Sequence, residues 1–527
     1  MSRVSTALAL LAFALEAIAV SAQDPPQLPR IRVSTRLVQV DVIAHDKNGP
    51  VADLTKEDFV MLDRGEPRKI SLFSVESASS ENHLVQPLPQ NTFSDRPQLG
   101  TSAPRSLTIV LLDNLNTLSG SAPLPYETTP VWLEDHALAN AKQRLIEFLK
   151  QADPRDRIAI YGLTQSLHVL CDFTCDREQL LAVASKYDVT SHTRRDTVEP
   201  GNFHTPVPGE FHEHLDEEAQ ELAALNNQAR AQTTMAALSA IAAHIADVPG
   251  RKNLLWLTSN LPFSGRVIAR ILSRANIAAY PVDARGLLPR LPQENLDGVV
   301  DEDSFALGTL GGPPAMSAEP IGVATMQDMA DDTGGRAFVN TNDLTGAIRQ
   351  AIEDSAVTYT LGFYIGSDSI DGKFHEIKLE VKRKGVILHY PKGYFAFQDM
   401  PVTKEKNRSS LIAALHSPID SSAIPVQVKI ERVEKPLPHC LSIYASIDIH
   451  NLQVLQNGRV RKVALDVVTI EQDQSGKVVA QSGSTIFTSN FHQYVQPKVN
   501  ATTLRILVED SSTAEVGSLV IPLSQIK

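Results

Sequence analysis

Ser106-Leu107-Thr108-Ile109-Val110-Leu111-Leu112-Asp113-Asn114-Leu115-Asn116-Thr117 is an apolar run that ends in an aspartate and small polar residues. The run has no polar alternation, so it reads as a strand buried on both faces, the pattern of parallel sheets. In open α/β sheets, ligands bind just beyond the carboxyl ends of strands. Asp113 therefore stands where a site is expected. From Leu107 onward, strand and helix patterns alternate, which indicates an α/β doubly wound domain of Rossmann-like type.

Further strands are expected at Asp156–Leu163, at Lys252–Thr258, at Ile277–Asp283 and over residues 336–339. Pro281 lacks a backbone N–H and places its strand near a sheet edge. Residues 167–170 form a short partner strand. Helices are expected over residues 131–150, from Asp176, over 233–247, 266–276, 322–332 and 343–356, with Pro249-Gly250 and Gly334-Gly335 as stops. Residues 186–226 and 287–317 read as surface insertions.

The α/β domain spans residues 105–357, and β patterns flank it. Residues 31–76 form a small β unit in which Val38, Val40, Val42 and Ala44 share one face and Gln39 and Asp41 the other. Residues 77–104 are polar and proline-bearing, the composition of a linker. Strands recur over 358–398 and are expected to pack with 31–76, so that the α/β domain is inserted in, or flanked by, a small β domain. After a polar linker near 400–409, residues 410–527 alternate strands and turns, the pattern of a C-terminal β-sandwich.

The bulk numbers set the function classes. The 527 residues exceed what one core holds. With 49 basic and 61 acidic residues the net charge is −12, which argues against a nucleic-acid partner. Residues 1–22 read as a secretory signal peptide, with an apolar run of about 15 residues where a spanning helix needs ~20. The mature chain is expected to have no transmembrane segment. Cys171 and Cys175 are spaced to close a small bridge or to remain two nearby thiols; three intervening residues exclude a redox pair.

Six segments occur in an order that resembles the VWA-related domain family first described in acidobacteria. They are Val51-Ala52-Asp53-Leu54-Thr55-Lys56-Glu57-Asp58-Phe59, Leu111-Leu112-Asp113-Asn114-Leu115-Asn116-Thr117, Pro249-Gly250-Arg251-Lys252-Asn253-Leu254-Leu255-Trp256-Leu257, Ala279-Tyr280-Pro281-Val282-Asp283-Ala284-Arg285-Gly286-Leu287, Thr333-Gly334-Gly335-Arg336-Ala337-Phe338 and Tyr359-Thr360-Leu361-Gly362-Phe363-Tyr364. The resemblance covers residues 31–397. It implies a von Willebrand factor type A fold and a secreted or periplasmic (cell envelope) bacterial protein.

Metal-binding domains of that fold carry Asp-x-Ser-x-Ser in the first loop, a threonine from a second and an aspartate from a third. Such oxygens suit Mg²⁺ or another divalent cation. Here Asp113 matches, Leu115 replaces the first serine, Thr117 the second, and Thr233 or Thr234 matches the second loop. Thr258-Ser259-Asn260 lacks the third-loop aspartate, so the metal site is degenerate. The metal candidates are Asp113, Thr117 and Thr234. The competing reading is that Asp113, Asn116 and Thr117 cap and hydrogen-bond the loop. His204, His212 and His214, among acidic residues, form a second cluster that could serve a metal-dependent hydrolase. Nucleophile-elbow, phosphate-loop and zinc-protease motifs are absent. The expectation is a non-catalytic protein for adhesion or protein–protein interaction. An unidentified protein partner would bind the edge formed by Asp113, Asn116, Thr117, Thr234 and Ser259. A structural component of a cell-envelope assembly is the further alternative.

Overall fold

A computed structural model describes residues 35–77, 88–97, 106–117, 137–187, 210–284, 322–396 and 403–527. Positions 154, 249, 260, 262–263, 342, 355, 367–368, 437, 451, 453–454, 458–459 and 463 are excepted. The expected signal segment 1–22 and the insertion over 287–317 lie outside the described residues.

The described chain opens with β1 (Thr35–Asp46), β2 (Gly49–Pro50), β3 (Phe59–Asp63), β4 (Glu66–Arg68) and β5 (Leu72–Ser77). Val38, Val40, Val42 and Ala44 of β1 are buried together. Asp41, expected on the outer face, is buried too. It accepts hydrogen bonds from Asn276 Nδ2 at 2.6 Å and Thr360 Oγ1 at 2.7 Å. A buried carboxylate needs such partners, and the bond from Asn276 ties the β unit to the α/β domain. The stretch expected as a linker contains a strand, β6 (Thr92–Ser94), whose Phe93 packs against the core of the C-terminal domain.

The α/β domain runs β7 (Ser106–Asp113), α1 (Ala137–Leu149), β8 (Asp156–Leu163), β9 (Leu167–Cys171), α2 (Arg177–Lys186) and α3 (Glu210–His244). It continues with β10 (Lys252–Thr258), α4 (Gly265–Ser273), β11 (Ile277–Asp283), α5 (Val323–Thr333) and α6 (Leu344–Glu353). The sheet order is β11-β10-β7-β8-β9, with β9 antiparallel to β8 and the other pairs parallel. Every residue of β7, β10 and β11 is buried.

The reason lies in the layering. Leu107, Ile109 and Leu111 share a core with Leu238, Leu272 and Met326 from α3, α4 and α5. Val110 and Leu112 share another with Leu145, Leu180 and Ile348 from α1, α2 and α6. Each such side chain contributes roughly 2 kcal/mol through burial.

The expected strand over 336–339 shrinks to a single bridge, Phe338 beside Val282. Gly335 approaches this point so closely that a Cβ there would lie 1.8 Å from the Ala279 carbonyl oxygen. The stretch 210–226, expected as irregular insertion, is the first part of the 35-residue α3. Its sequence is rich in Glu, Ala and Leu, all good helix formers. Cys171 and Cys175 form a disulfide that closes the loop after β9.

The chain then returns to β with β12 (Val357–Gly366), β13 (Phe374–Val381), β14 (Ile387–His389) and β15 (Gly393–Phe395). β12 lies between β1 and β5, antiparallel to both, and β13 pairs with β3. Strands from before and after the α/β domain thus share one core around Val40, Met61, Tyr359 and Ile377.

The stretch expected as the 400–409 linker is largely helical. α7 (Lys404–His416) is capped by Thr403, whose Oγ1 accepts from Lys406 N. It lays Leu411, Ala414 and Leu415 on Ile470, Leu507 and Val516. The remaining strands are β16 (Val426–Val433), β17 (Cys440–Ile447), β18 (Leu455–Asn457), β19 (Val460–Lys462) and β20 (Leu465–Gln472). They are followed by β21 (Val478–Ile486), β22 (Asn490–Val495), β23 (Thr503–Asp510) and β24 (Glu515–Pro522). Sheets β22-β17-β16-β6 and β21-β20-β23-β24 enclose a core that includes Val428, Ile443, Val467 and Ile506.

The carboxyl end of α3 docks on this third domain. His244 Nδ1 faces the Asp420 carbonyl at 2.7 Å, and its Nε2 faces Asp172 Oδ2 at 3.2 Å. Ser422 Oγ donates to the His244 carbonyl at 2.7 Å. With an acceptor at each ring nitrogen, both nitrogens donate, so the ring is an imidazolium.

Candidate functional site

The parallel strands β7 and β10 end side by side, with Leu112 level with Leu257. Asp113 is the last residue of β7, so the next turn lies at the carboxyl edge. This turn is held by β8: Asn114 N and Leu115 N both donate to the Leu163 carbonyl, at 2.9 and 3.1 Å. Asn114 also accepts from Tyr187 Oη at 3.3 Å.

Asp113 is fully buried and sits at the centre of a hydrogen-bond hub. Its Oδ1 accepts from Asn116 N at 2.9 Å. Its Oδ2 accepts from Asn116 Nδ2 at 2.9 Å and from the Trp256 indole Nε1 at 2.8 Å. Thr117 Oγ1 donates to the Asp113 carbonyl at 2.5 Å, closing the turn. Asn116 Nδ2 also donates to Thr234 Oγ1 at 2.9 Å, which links the β7 loop to α3. Thr234 in turn donates to the Arg230 carbonyl at 2.9 Å. Burial pushes the Asp113 carboxyl above the usual carboxylate range, while hydrogen bonds from Asn116, Trp256 and Thr258 oppose it.

Of the expected edge residues, Asp113, Asn116, Thr117 and Thr234 are joined in one network. Ser259 is buried one residue past β10, and no hydrogen bond connects it to that network among the described residues. Trp256 and Arg230 belong to the site but were not read from the sequence. Trp256 lies in an apolar strand and looked like core, and nothing in a single sequence pairs it with an aspartate 143 positions away. Arg230 sits one helical turn before Thr234, on a stretch expected to be outside any helix on its first side.

The residues as arranged do not fit a divalent cation. Mg²⁺ demands oxygen lone pairs in near-octahedral array. Here N–H groups occupy the faces of both Asp113 oxygens. The Thr117 hydroxyl is turned back on the main chain, and Asn116 directs its NH₂ rather than its carbonyl at the carboxylate. Among the described residues no group of three or more His, Cys, Asp or Glu side chains could hold a metal. The cluster of His204, His212 and His214 lies outside the described side chains.

Two features of the hub are unsatisfied. Among the described residues, Asn116 Oδ1 is buried without a partner, and so are Nε and Nη2 of Arg230. A separate groove of about 450 Å³ lies on the outer face of the β22-β17-β16-β6 sheet, lined by Tyr444, His492, Lys429 and Gln427 among others. It belongs to another domain, and no expected site residue lines it.

No family model and no curated protein matches the chain. Solved structures give distant likenesses. Conserved hypothetical protein BatB from Bacteroides thetaiotaomicron is 14% identical over 48% of this chain and 98% of its own, with a TM-score of 0.26. A von Willebrand factor type A structure from Catenulispora acidiphila is 10% identical, covering 66% of this chain and 80% of its own, with a TM-score of 0.26. The ArnB paralog VWA2 from Sulfolobus acidocaldarius is 8% identical over 93% and 74%, with a TM-score of 0.21. At such scores the likenesses carry no weight of their own; the architecture stands on strand order and register.

Proposed function

We propose that the chain is an exported bacterial protein of von Willebrand factor type A fold that acts without catalysis, in adhesion or protein–protein contact. Its doubly wound α/β domain presents the binding edge, formed by Asp113, Asn116, Thr117, Thr234 and Ser259, and the two β domains carry it. The observation that carries this reading is the polar hub at the carboxyl ends of β7 and β10, where a buried acceptor, Asn116 Oδ1, has no partner among the described residues. Open α/β sheets bind ligands at that edge, and an orphaned buried acceptor costs about 1–3 kcal/mol until something satisfies it. Export is supported by the apolar leader in the sequence and by the Cys171–Cys175 disulfide, which persists in oxidising compartments.

The test compares the full chain with its Asp113→Ala variant, folding being checked by circular dichroism, for proteins retained from a cell-envelope extract. A partner kept by the unaltered chain and lost by the variant is the expected result. Equal retention by both would remove the edge from the account. Obligate co-purification with a large complex, insensitive to Asp113, would replace it with a structural role in an envelope assembly.

A further inference from the structure

The unpartnered nitrogens of Arg230 are Nε and Nη2. These two lie on the same side of the guanidinium and form its side-on fork, the pair that meets a carboxylate with two parallel hydrogen bonds. Donors taken from water without replacement destabilise the fold. Two of them on one fork, with an unpaired acceptor of opposite sense at Asn116 Oδ1 in the same hub, can pair with a carboxylate that carries an adjacent N–H.

The topology puts this fork at the binding edge. α3 returns directly to β10 through residues 245–251, so its carboxyl end is at the amino edge of the sheet. Thr234 is level with the Asp113 loop, as its bond to Asn116 shows. Arg230 is one turn nearer the helix amino end, and helical side chains lean that way. Burial pushes the Arg230 guanidinium pKa down, and the Asp113 carboxylate opposes that push.

We infer that Arg230 takes the place a divalent cation would hold and grips the carboxylate of a partner's acidic side chain directly, with Asn116 Oδ1 accepting an N–H from the same segment. This inference rests on the edge reading of the function and adds its recognition chemistry. The Asp113 carboxylate acts on the same guanidinium, so a singly charged carboxylate meets less repulsion at the fork than a phosphate dianion would. The bond is an ion pair with two hydrogen bonds, and no metal takes part in it.

The test uses fluorescence anisotropy of the full chain with a labelled Gly/Ser hexapeptide holding one central aspartate, in the presence of a chelator. Saturable binding is expected, and it should fall at least ~10-fold with Arg230→Gln, because a charge-assisted bidentate pair is lost. Arg230→Lys, a point charge without the fork, should recover only part of it. The matching asparagine peptide should bind no better than the Arg230→Gln variant does, and inorganic phosphate should not compete. Four results would each overturn the inference: no binding up to ~1 mM, the weak limit of specific affinity; equal binding by Arg230→Gln; a requirement for Mg²⁺; or displacement by phosphate. If Arg230→Gln keeps an envelope partner that Asp113→Ala loses, the edge stands and the arginine inference alone fails. If both variants keep it, the edge reading fails as well.

Discussion

Asp113 receives hydrogen bonds from three nitrogens of two residues, Asn116 and Trp256, which come from the loop after β7 and from β10. Replacing it with alanine leaves buried donors on the main chain, an amide and an indole. At about 1–3 kcal/mol for an unsatisfied group, Asp113→Ala is expected to lower stability by roughly 3 kcal/mol in urea unfolding. Trp256→Phe keeps the carboxylate's other bonds and should cost about half as much. A loss under ~0.5 kcal/mol for Asp113→Ala, the scale of an inconsequential surface change, would show that the hub does not hold the edge. Asp113 was legible in the sequence because it ends an unbroken apolar run. Its indole donor was not, since Trp256 reaches it only through a tertiary contact. Leu115, read as a lost ligand, is half-buried against the apolar core, which explains why a serine is not required there.

Glycine and disulfide positions act at the scale of elements. Gly335 passes over β11 where a Cβ would lie 1.8 Å from the Ala279 carbonyl oxygen and 2.7 Å from its carbon. Both atoms are backbone of a buried strand and cannot yield. Gly335→Ala should therefore destabilise by roughly 3 kcal/mol, the upper range for overpacking, and lower the melting temperature. The Cys171–Cys175 bridge closes a loop with a sequence separation of 4. Chain entropy for so short a loop gives ~2 kcal/mol, the loss expected for a double serine variant in the same assay. The long buried strands and amphipathic helices were readable from period alone. β6 was not, because three residues carry too little pattern and its partner β16 lies over 300 positions away. α7 was missed because its exposed first turns are all polar, and only Leu411, Ala414 and Leu415 face the β-sandwich.

Three domains meet at the end of α3 and around Asp41, and the first of these contacts is proton-linked. Burial alone would lower the His244 pKa, but the Asp172 carboxylate and Asp420 carbonyl outweigh it and hold it above its ordinary value. Burial also works against ionised Asp172, yet His244, the Phe173 N–H and Tyr161 hold its pKa below the usual range. Burial pushes the Asp420 carboxyl up to about 6, opposed by Arg505 and His244.

The signs follow from linkage. A raised histidine stabilises fully below its unfolded value, ~6.5, and the contribution is lost as pH rises through the folded pKa. A depressed aspartate stabilises above ~3.9, and its contribution is lost as pH falls through the folded pKa. Asp420, raised, gives its full contribution to the docked form below ~3.9 and loses it as pH rises through about 6, in the same direction as His244. Docking of the α/β domain on the C-terminal domain is therefore expected to loosen as pH rises, first as Asp420 ionises through about 6 and then as His244 loses its proton above ~6.5, and to loosen again well below ~3.9 as Asp172 is protonated. Limited proteolysis of the connection around Ser417 should accelerate as pH rises, and His244→Gln should flatten that profile. A profile unchanged by His244→Gln would remove the histidine from the docking contact.

Across the whole molecule, the carboxyl edge of the sheet is organised by protein donors around Asp113, in an arrangement that does not fit a divalent cation. Isothermal titration calorimetry of the full chain with Mg²⁺ and Mn²⁺ measures this directly. The account predicts no saturable heat that depends on Asp113, so the unaltered chain and Asp113→Ala should give the same trace. A one-to-one isotherm in the unaltered chain that disappears in Asp113→Ala would contradict it and restore a metal to the edge.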